Sequence, residues 1–488
     1  YLGQVQMNTA VFPYFLPASA EIFLTCSGIM LLLIGLFRKR GVAGWISWGV
    51  IIVFFVTTLF VLSYSSEAEE KAFFGLFVAT PYTQFSKVLV LISSFLAIVL
   101  SNDYMRREEI ERFEFPILVL FATVGMMIII SAGDLIALFI GMELQSVAFY
   151  VLVTFRTNSL KSIESGFRYF LFGIFSSVVF LYGCSLIYGF SGTTELTKIS
   201  LSIQSKDQGA SIGFIIGLAF FILVLALKVS VIPFQLWIHD CYARAPSPVT
   251  AFLLIGPPIA LLCFLVQFLF ASLLFISDFW QPLISIISCL SMLISSGMMF
   301  FEDNIKRWIT YGSIGHIGFA SMGLAAGSEN GCSSILVYLS IYLVMHFGWV
   351  AVIISLRKKK QTVEKFRDLA GLSENHPLVA FFCFVIMFSM AGIPPFAGFF
   401  GKWLVLTAIM DSQLYLLALI GGAASFAFAI SYLRVVKVIY FEDLIEPFDT
   451  NTSGELNIIM FGSVVLLVLF FIFPNPLISS AKIVASIL

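Results

Sequence analysis

Several ionisable residues stand where a lipid-soluble chain should have none. Lys228 lies in 223-LVLALKVSVIPFQLW-237, after apolar or small residues from Ser211 to Leu227 and before the largely apolar stretch 229–236. A lysine at the centre of a bilayer costs at least about 3 kcal/mol unless it is paired or faces water. Five residues on, Pro233 removes a backbone donor and predicts a break in the helix at mid-membrane depth. The plainer alternative is a lysine that lays its stem along apolar surface and snorkels to the interface. Lys402 repeats the pattern in 391-AGIPPFAGFFGKW-403, where Gly392, Pro394, Pro395, Gly398 and Gly401 cannot support a straight helix. Incidental Pro and Gly, common in membrane helices, are the alternative there.

Glu143, in 134-DLIALFIGMELQSVAFY-150, is the clearest intramembrane acid, and Asp134 reads as the cap that starts its helix. A buried carboxylate needs a partner, and Lys228 is the natural one. A lysine balanced between burial, which opposes its charge, and a carboxylate, which favours it, can load and release a proton when its partner moves. A static pair that only fixes packing is the alternative. Arg168, in 163-IESGFRYFLFG-173, is a further intramembrane cation. It does not deprotonate, so it can bias neighbours or anchor at the interface but is a poor carrier. His316 and His346 can relay protons as neutral imidazoles, or can be hydrogen-bonded core residues. Glu21 has no assignable partner.

Other chemistries find no support. A two-haem membrane cytochrome needs four histidines in facing pairs, and of His239, His316, His346 and His376 two fall in loops. There is no GxGxxG, phosphate-binding loop, cysteine cluster or nucleophile elbow. The expectation is a chain with no metal, no redox cofactor and no catalytic triad of its own.

The elements that must position these residues are apolar. The chain has 488 residues, 60% hydrophobic and 11% charged, with a mean hydropathy of +1.02. That little polar surface identifies an all-α polytopic membrane protein. Apolar runs long enough to span fall near 15–36, 43–64, 83–101, 115–131, 135–155, 164–189, 211–235, 247–274, 281–301, 307–327, 332–356, 377–409, 413–440 and 457–483, about 14 transmembrane helices. Loops after odd-numbered runs hold nineteen of the 27 Lys and Arg; the opposite loops, counting Lys87 among them, hold five. That asymmetry is the positive-inside pattern and puts both termini on the cation-poor side. Runs seven and twelve are both broken beside a lone lysine and are separated by five helices, an odd number. Runs four to eight and nine to thirteen therefore read as two inverted five-helix repeats, an arrangement that in transporters places an ion site at the midplane. The divisions expected are 1–114 (three N-terminal helices), 115–274 and 281–440 (the two halves), and 441–488 (a loop and the last helix).

Net charge −1 gives no attraction to nucleic acid. The seven cysteines lack metal spacing and read as small core residues. The 54 phenylalanines suggest an AT-rich, organellar coding bias. An opening at Tyr1 without Met or secretory pattern leads us to expect an incomplete N-terminus.

On these residues the chain resembles the antiporter-like membrane subunits of respiratory complex I, nearest the shortest of the three. LKVSVIPFQLWIHDCYARAPSPVTAFL from Leu227, 305-IKRWITYGSIGHIGF-319, 391-AGIPPFAGFFGKW-403 and GMELQS at 141–146 carry the likeness, which runs from the first helix to the last. The resemblance implies a proton-translocating subunit that couples NADH oxidation by ubiquinone to pumping through lysines, glutamate and trapped water. Glu143 matches the family's helix 5 glutamate, Lys228 its helix 7 lysine and Lys402 its helix 12 lysine, on the exit side. Arg168 stands where relatives have lysine. Pro258 stands where they have a lysine in helix 8, so that helix has no ionisable residue, and His316 with water must bridge the gap or this copy conducts poorly. NADH, FMN, iron–sulfur clusters and ubiquinone would be bound by other subunits. Partners implied are other membrane-arm subunits, including another antiporter-like one and the small membrane subunits, with membrane lipids. The location implied is the mitochondrial inner membrane or, alternatively, the bacterial plasma membrane. Two rival functions stay open: a cation/proton antiporter subunit, and a structural, non-conducting member of the membrane arm.

Overall fold

Long apolar runs leave helix as the only economical way to satisfy the backbone in lipid, and the computed structural model is helical in all of them. It describes residues 15–38, 42–64, 69–204, 211–232, 238–358, 361–444, 446–449 and 453–487. The first six runs form α1 (Ser19–Phe37), α2 (Ala43–Ser63), α3 (Pro81–Arg107), α4 (Glu114–Ile130), α5 (Leu135–Val153) and α6 (Leu160–Ser191), followed by a short amphipathic α7 (Leu196–Gln204). The seventh run ends early: α8 (Ile212–Lys228) stops at the lysine, and α9 (Ile238–Arg244) begins beyond the break. Pro233 itself, with 234–237 and the side chain of His239, lies outside the described residues. The early stop has a covalent reason, since a proline at 233 supplies no N–H to the carbonyl of Val229, four residues before it.

The remaining runs form α10 (Ser247–Leu273), α11 (Ser277–Phe301), α12 (Ile305–Ala325) and α13 (Glu329–Ser355), a single turn α14 (Leu372–Asn375), then α15 (Pro377–Ala391), α16 (Ala397–Asp411) and α17 (Tyr415–Phe441). The final run, read as one helix, is two, α18 (Gly454–Ile472) and α19 (Asn475–Ala485), because Pro474 and Pro476 interrupt the ladder between them. Among the described residues nine helical stretches are by themselves long and apolar enough to cross a membrane, and α4, α8 and α15 are shorter apolar helices. The protein is a multi-pass all-α membrane protein.

α13 is the central post, with 89% of its apolar window buried, against 28% for α6, which presents its phenylalanines outward. α10 packs on α3, α4 and α13, and α11 pairs along its length with α12. Near the start of α5 a hairpin of β1 (Glu70–Ala72) and β2 (Phe77–Ala79), register Glu70 with Ala79, is stitched to its neighbours. Val78 N–H donates to Ser131 O (2.8 Å), Gly133 N–H to Leu76 O (3.0 Å) and Leu196 N–H to Gly133 O (3.0 Å). Asp134 caps α5, accepting from Ile136 N–H at 2.7 Å and from Thr194 Oγ1 at 2.6 Å. The cap anticipated from sequence thus also ties the segment before α7 to α5.

Candidate functional site

Two lysines sit at two interrupted helices, and each interruption supplies part of the lysine's surroundings. Lys228 is the last residue of α8; Ser230 then takes a left-handed conformation (φ 73°) that turns the chain away. The freed N–H of Ile232 donates to Ser291 Oγ on α11 at 3.1 Å, so the break after α8 rests on α11. Lys228 Nζ donates to Ser146 Oγ at 3.0 Å and lies 3.9 Å from Glu143 Oε1. Both partners come from α5, one helical turn apart and hence on one face. Glu143 Oε1 also accepts from Ser177 on α6. Glu143 is therefore held between a hydroxyl and a cation, and it is the more exposed of the pair (32% against 11%), with α6 forming the outer wall.

Lys402, on α16, has no carboxylate within ion-pair range among the described residues. Its Nζ donates to Ala391 O, the last carbonyl of α15, at 2.9 Å and to Ser425 Oγ on α17 at 3.0 Å, and lies 5.5 Å from the Phe319 ring centre. The end of a helix leaves carbonyls without partners and carries partial negative charge, so here the break itself replaces the counter-ion. Gly392 makes this approach possible: it takes φ +81°, and a Cβ there would lie 2.8 Å from Lys402 Cδ. Gly398 lets the two half-helices touch, since a Cβ would stand 1.8 Å from Ser389 O. Pro394 and Pro395 occupy the connection between α15 and α16.

A buried polar cluster is built from α10, α12, α13 and α17. His316 bonds Tyr338 Oη through Nδ1 (2.7 Å) and Tyr432 Oη through Nε2 (2.9 Å). His346 has its ring 5.3 Å from that of His316, with Nδ1 3.3 Å from Tyr342 O and Nε2 buried without a hydrogen-bond partner. Tyr342 Oη donates to Leu254 O at 2.7 Å and lies 2.6 Å from Ser313 Oγ. Leu254 is four residues before Pro258, whose missing N–H would otherwise take that carbonyl. The position where a family lysine was expected thus gives the axis an unclaimed backbone carbonyl, and a tyrosine fills it.

The structure brings together Glu143 with Lys228, and His316 with His346, and sets Lys402 against the α15 terminus. Arg168 stands apart: it pairs with Glu164 at 2.5 Å on the outer face of α6, and Glu164 also accepts from Arg244 Nη1 at 3.1 Å. Sequence reasoning passed over Ser146, Ser177, Ser313, Ser425 and the three tyrosines. Tyr338, Tyr342 and His346, spaced by four, were a readable polar stripe; Ser177 left no such signal. It also misplaced Lys87, counted among loop cations. Lys87 lies inside α3, 3% exposed, 2.7 Å from Glu21 on α1 and 4.6 Å from the Phe77 ring centre. Glu21, left without a partner in the sequence, has this one. The apolar surroundings leave neither charge another place to go. Four cysteines, Cys241, Cys263, Cys332 and Cys383, are buried and Cys26 faces outward.

Residues 132–475, which hold both lysines, match the family model of NADH:quinone oxidoreductase/Mrp antiporter transmembrane subunits. The chain is 42% identical over 476 residues to an NADH-quinone oxidoreductase subunit N of Rhodospirillum rubrum, covering 97% of each chain. It is 37% identical to the subunit of the same name from Pelagibacter ubique, covering 94% of this chain and 96% of that one. Its fold is similar to a chain of respiratory complex I from Thermus thermophilus with bound aureothin (TM-score 0.81, 22% identity, 94% and 98% covered). A chain of the Mrp complex from Dietzia sp. is similar too (TM-score 0.83, 18% identity, 97% of each covered). By family match and near full-length identity, the chain belongs to the NADH:quinone oxidoreductase/Mrp antiporter transmembrane family.

Proposed function

We propose that this chain is a proton-translocating subunit of the membrane arm of an NADH:quinone oxidoreductase. Its partners are other membrane-arm subunits, a second antiporter-like one and the small membrane subunits among them. NADH, FMN, iron–sulfur clusters and quinone are held by other chains. The observation that carries this reading is the pair of buried lysines, each set at a helix interruption and joined by a hydroxyl and imidazole cluster. A charge change arriving from the neighbouring subunit at the α5–α6 side draws Glu143 toward Ser177 and away from Lys228. At 3.9 Å and an effective dielectric constant of about 20 the pair is worth about 4 kcal/mol, enough to decide whether Lys228 keeps its proton. The proton passes along Ser313, the tyrosines, His316, His346 and intervening water, and Lys402 delivers it outward. Arg168, which keeps its proton, acts with Glu164 and Arg244 as a fixed charge beside the pathway.

In this reading the fourteen apolar runs make fourteen crossings, α8 with α9, α15 with α16 and α18 with α19 counting once each. Residues 115–274 and 281–440 form the inverted halves, 1–114 and 441–488 flank them, and both termini lie on the cation-poor side. The membrane is an energy-coupling one. The bacterial relatives support a plasma membrane, and the phenylalanine-rich composition supports the mitochondrial inner membrane.

The test is pumping by the purified complex in proteoliposomes. Lys228→Met is expected to lower the protons moved per NADH oxidised while leaving assembly and NADH dehydrogenase activity in place. Unchanged pumping removes the proposal. Cation/proton exchange by the chain in vesicles without NADH dehydrogenase would favour an antiporter, and indifference to Lys402→Met a structural, non-conducting subunit.

A further inference from the structure

At the end of the molecule that carries Arg106, Arg107 and Arg112, a second arrangement lies outside the lysine axis. The first turn of α2, the last turn of α3 and the loop that follows form an open groove of about 560 Å³, lined by Gly44, Trp45, Trp48, Arg106 and Glu111 among others. Trp45 and Trp48 are 75% and 56% exposed, at the level where α2 enters its apolar span. Tryptophan at that depth marks the lipid headgroup zone. Below the tryptophans, Ile52 and Phe55 continue the exposed face of α2 with apolar surface.

A smaller cleft of about 30 Å³ shares Gly44, Trp48, Arg106 and Glu111 with this groove and adds Ser47, Asn102 and Glu455. Arg112 also reaches it, but its guanidinium is committed to Thr157 Oγ1 at 3.2 Å. Among the described residues the side chains of Arg106 and Glu111 make no hydrogen bond or ion pair, to each other or to anything else. Glu455 Oε2 is buried and has no hydrogen-bond partner among the described residues. A cation on one wall, a free carboxylate beside it and a buried acceptor in a recess form the complement of a zwitterion.

We propose that this site binds the headgroup of phosphatidylethanolamine, with its phosphate on Arg106 beneath the two indoles and its ammonium between Glu111 and Glu455. An arginine binds phosphate through charge-assisted hydrogen bonds, and an indole N–H is a donor that a phosphate oxygen can accept. The recess sets the selectivity. Its volume holds roughly two water-sized groups, which admits a primary ammonium with three N–H donors. A choline head is too bulky for it and has no N–H to give the buried Glu455 oxygen. A lipid of net negative charge has its phosphate to offer Arg106 but no ammonium to give Glu111 and Glu455. The acyl chains follow the α2 face past Ile52 and Phe55.

The experiment is native mass spectrometry of the full chain in its purified complex, stripped in mild detergent and offered equal amounts of palmitoyl-oleoyl phosphatidylethanolamine, phosphatidylcholine and phosphatidylglycerol. Phosphatidylethanolamine is expected to be retained about tenfold over either competitor, the worth of one charge-assisted hydrogen bond. Glu455→Gln, and independently Glu111→Gln on its exposed loop, should reduce that preference over phosphatidylcholine. Arg106→Ala should lower retention of both of these lipids, and Arg106→Lys should restore most of it. Equal retention of phosphatidylcholine, dominance of phosphatidylglycerol, or a preference untouched by both carboxylate variants would overturn the assignment.

Discussion

Lys228 and Lys402 share a residue type and a position beside a break, yet they are stabilised differently. Lys228 has an ionisable partner in Glu143, whereas Lys402 has the backbone carbonyl of Ala391 and a hydroxyl. In the proposed cycle the first is switched by moving a charge, and the second accepts and passes on what reaches it. Glu143→Gln should therefore reduce pumping as much as Lys228→Met does, and proton flux measured in the same proteoliposomes will compare them. Tyr342→Phe leaves Leu254 O with only Ser313, 3.4 Å away. A buried acceptor losing its donor costs about 1–3 kcal/mol, so a drop in thermal midpoint together with slower pumping is expected. The Glu21–Lys87 pair provides a control of another kind. Removing one partner of a buried pair costs about 3–5 kcal/mol, while replacing both with apolar groups is near neutral. Lys87→Met should lower the unfolding temperature of the purified protein, and Glu21→Leu with Lys87→Met should recover most of the loss.

Among the elements, the breaks depend on close contact. The 1.8 Å gap that a Cβ at 398 would leave to Ser389 O forces α15 and α16 apart. Gly398→Ala is expected to destabilise by about 1–3 kcal/mol and to lower pumping with Lys402 itself intact; a variant with normal flux would show that this contact does not set the lysine's position. The segment before α7, tied to the start of α5, responds to pH. The Glu195 carboxyl is held below its ordinary value of 4.5, first by its hydrogen bond to Lys198, with Thr197 and the charges of Lys198 and Lys71 adding to it. A lowered carboxylate contributes stability that is present above the ordinary value and is lost as pH falls through the lowered one. Protection factors of the α7 amides, corrected for the intrinsic pH dependence of exchange, should therefore fall below about pH 4 in the native protein and change less with pH in Glu195→Gln.

Across the whole molecule, charge and exposure sort the surfaces. Cations concentrate in loops after alternate runs, and α6, α1 and α2 carry broad apolar faces that α13 lacks. A protease-sensitive tag at the C-terminus should be cut from the cation-poor side only, in vesicles of defined orientation. Cleavage from the other side would mean a crossing number other than fourteen or the reverse orientation.

Composition and run length were enough to determine a multi-pass helical membrane protein, because lipid leaves the backbone few options. Local rules also placed the Asp134 cap and the interruption around 391–397, where proline and glycine act within a turn of themselves. The seventh run was harder: its proline was plain, but only the fold showed that the helix stops at Lys228 and that Ile232 docks on α11. What sequence could not supply was the partner of each buried charge. Lys87 looked like a loop residue and Glu21 an orphan until α1 and α3 were set side by side. Pro258 looked like a lost lysine until α13 brought Tyr342 to the carbonyl it frees. Hydrogen bonds and ion pairs act across a few ångströms between residues many positions apart, and only the packing of the helices fixes which ones meet.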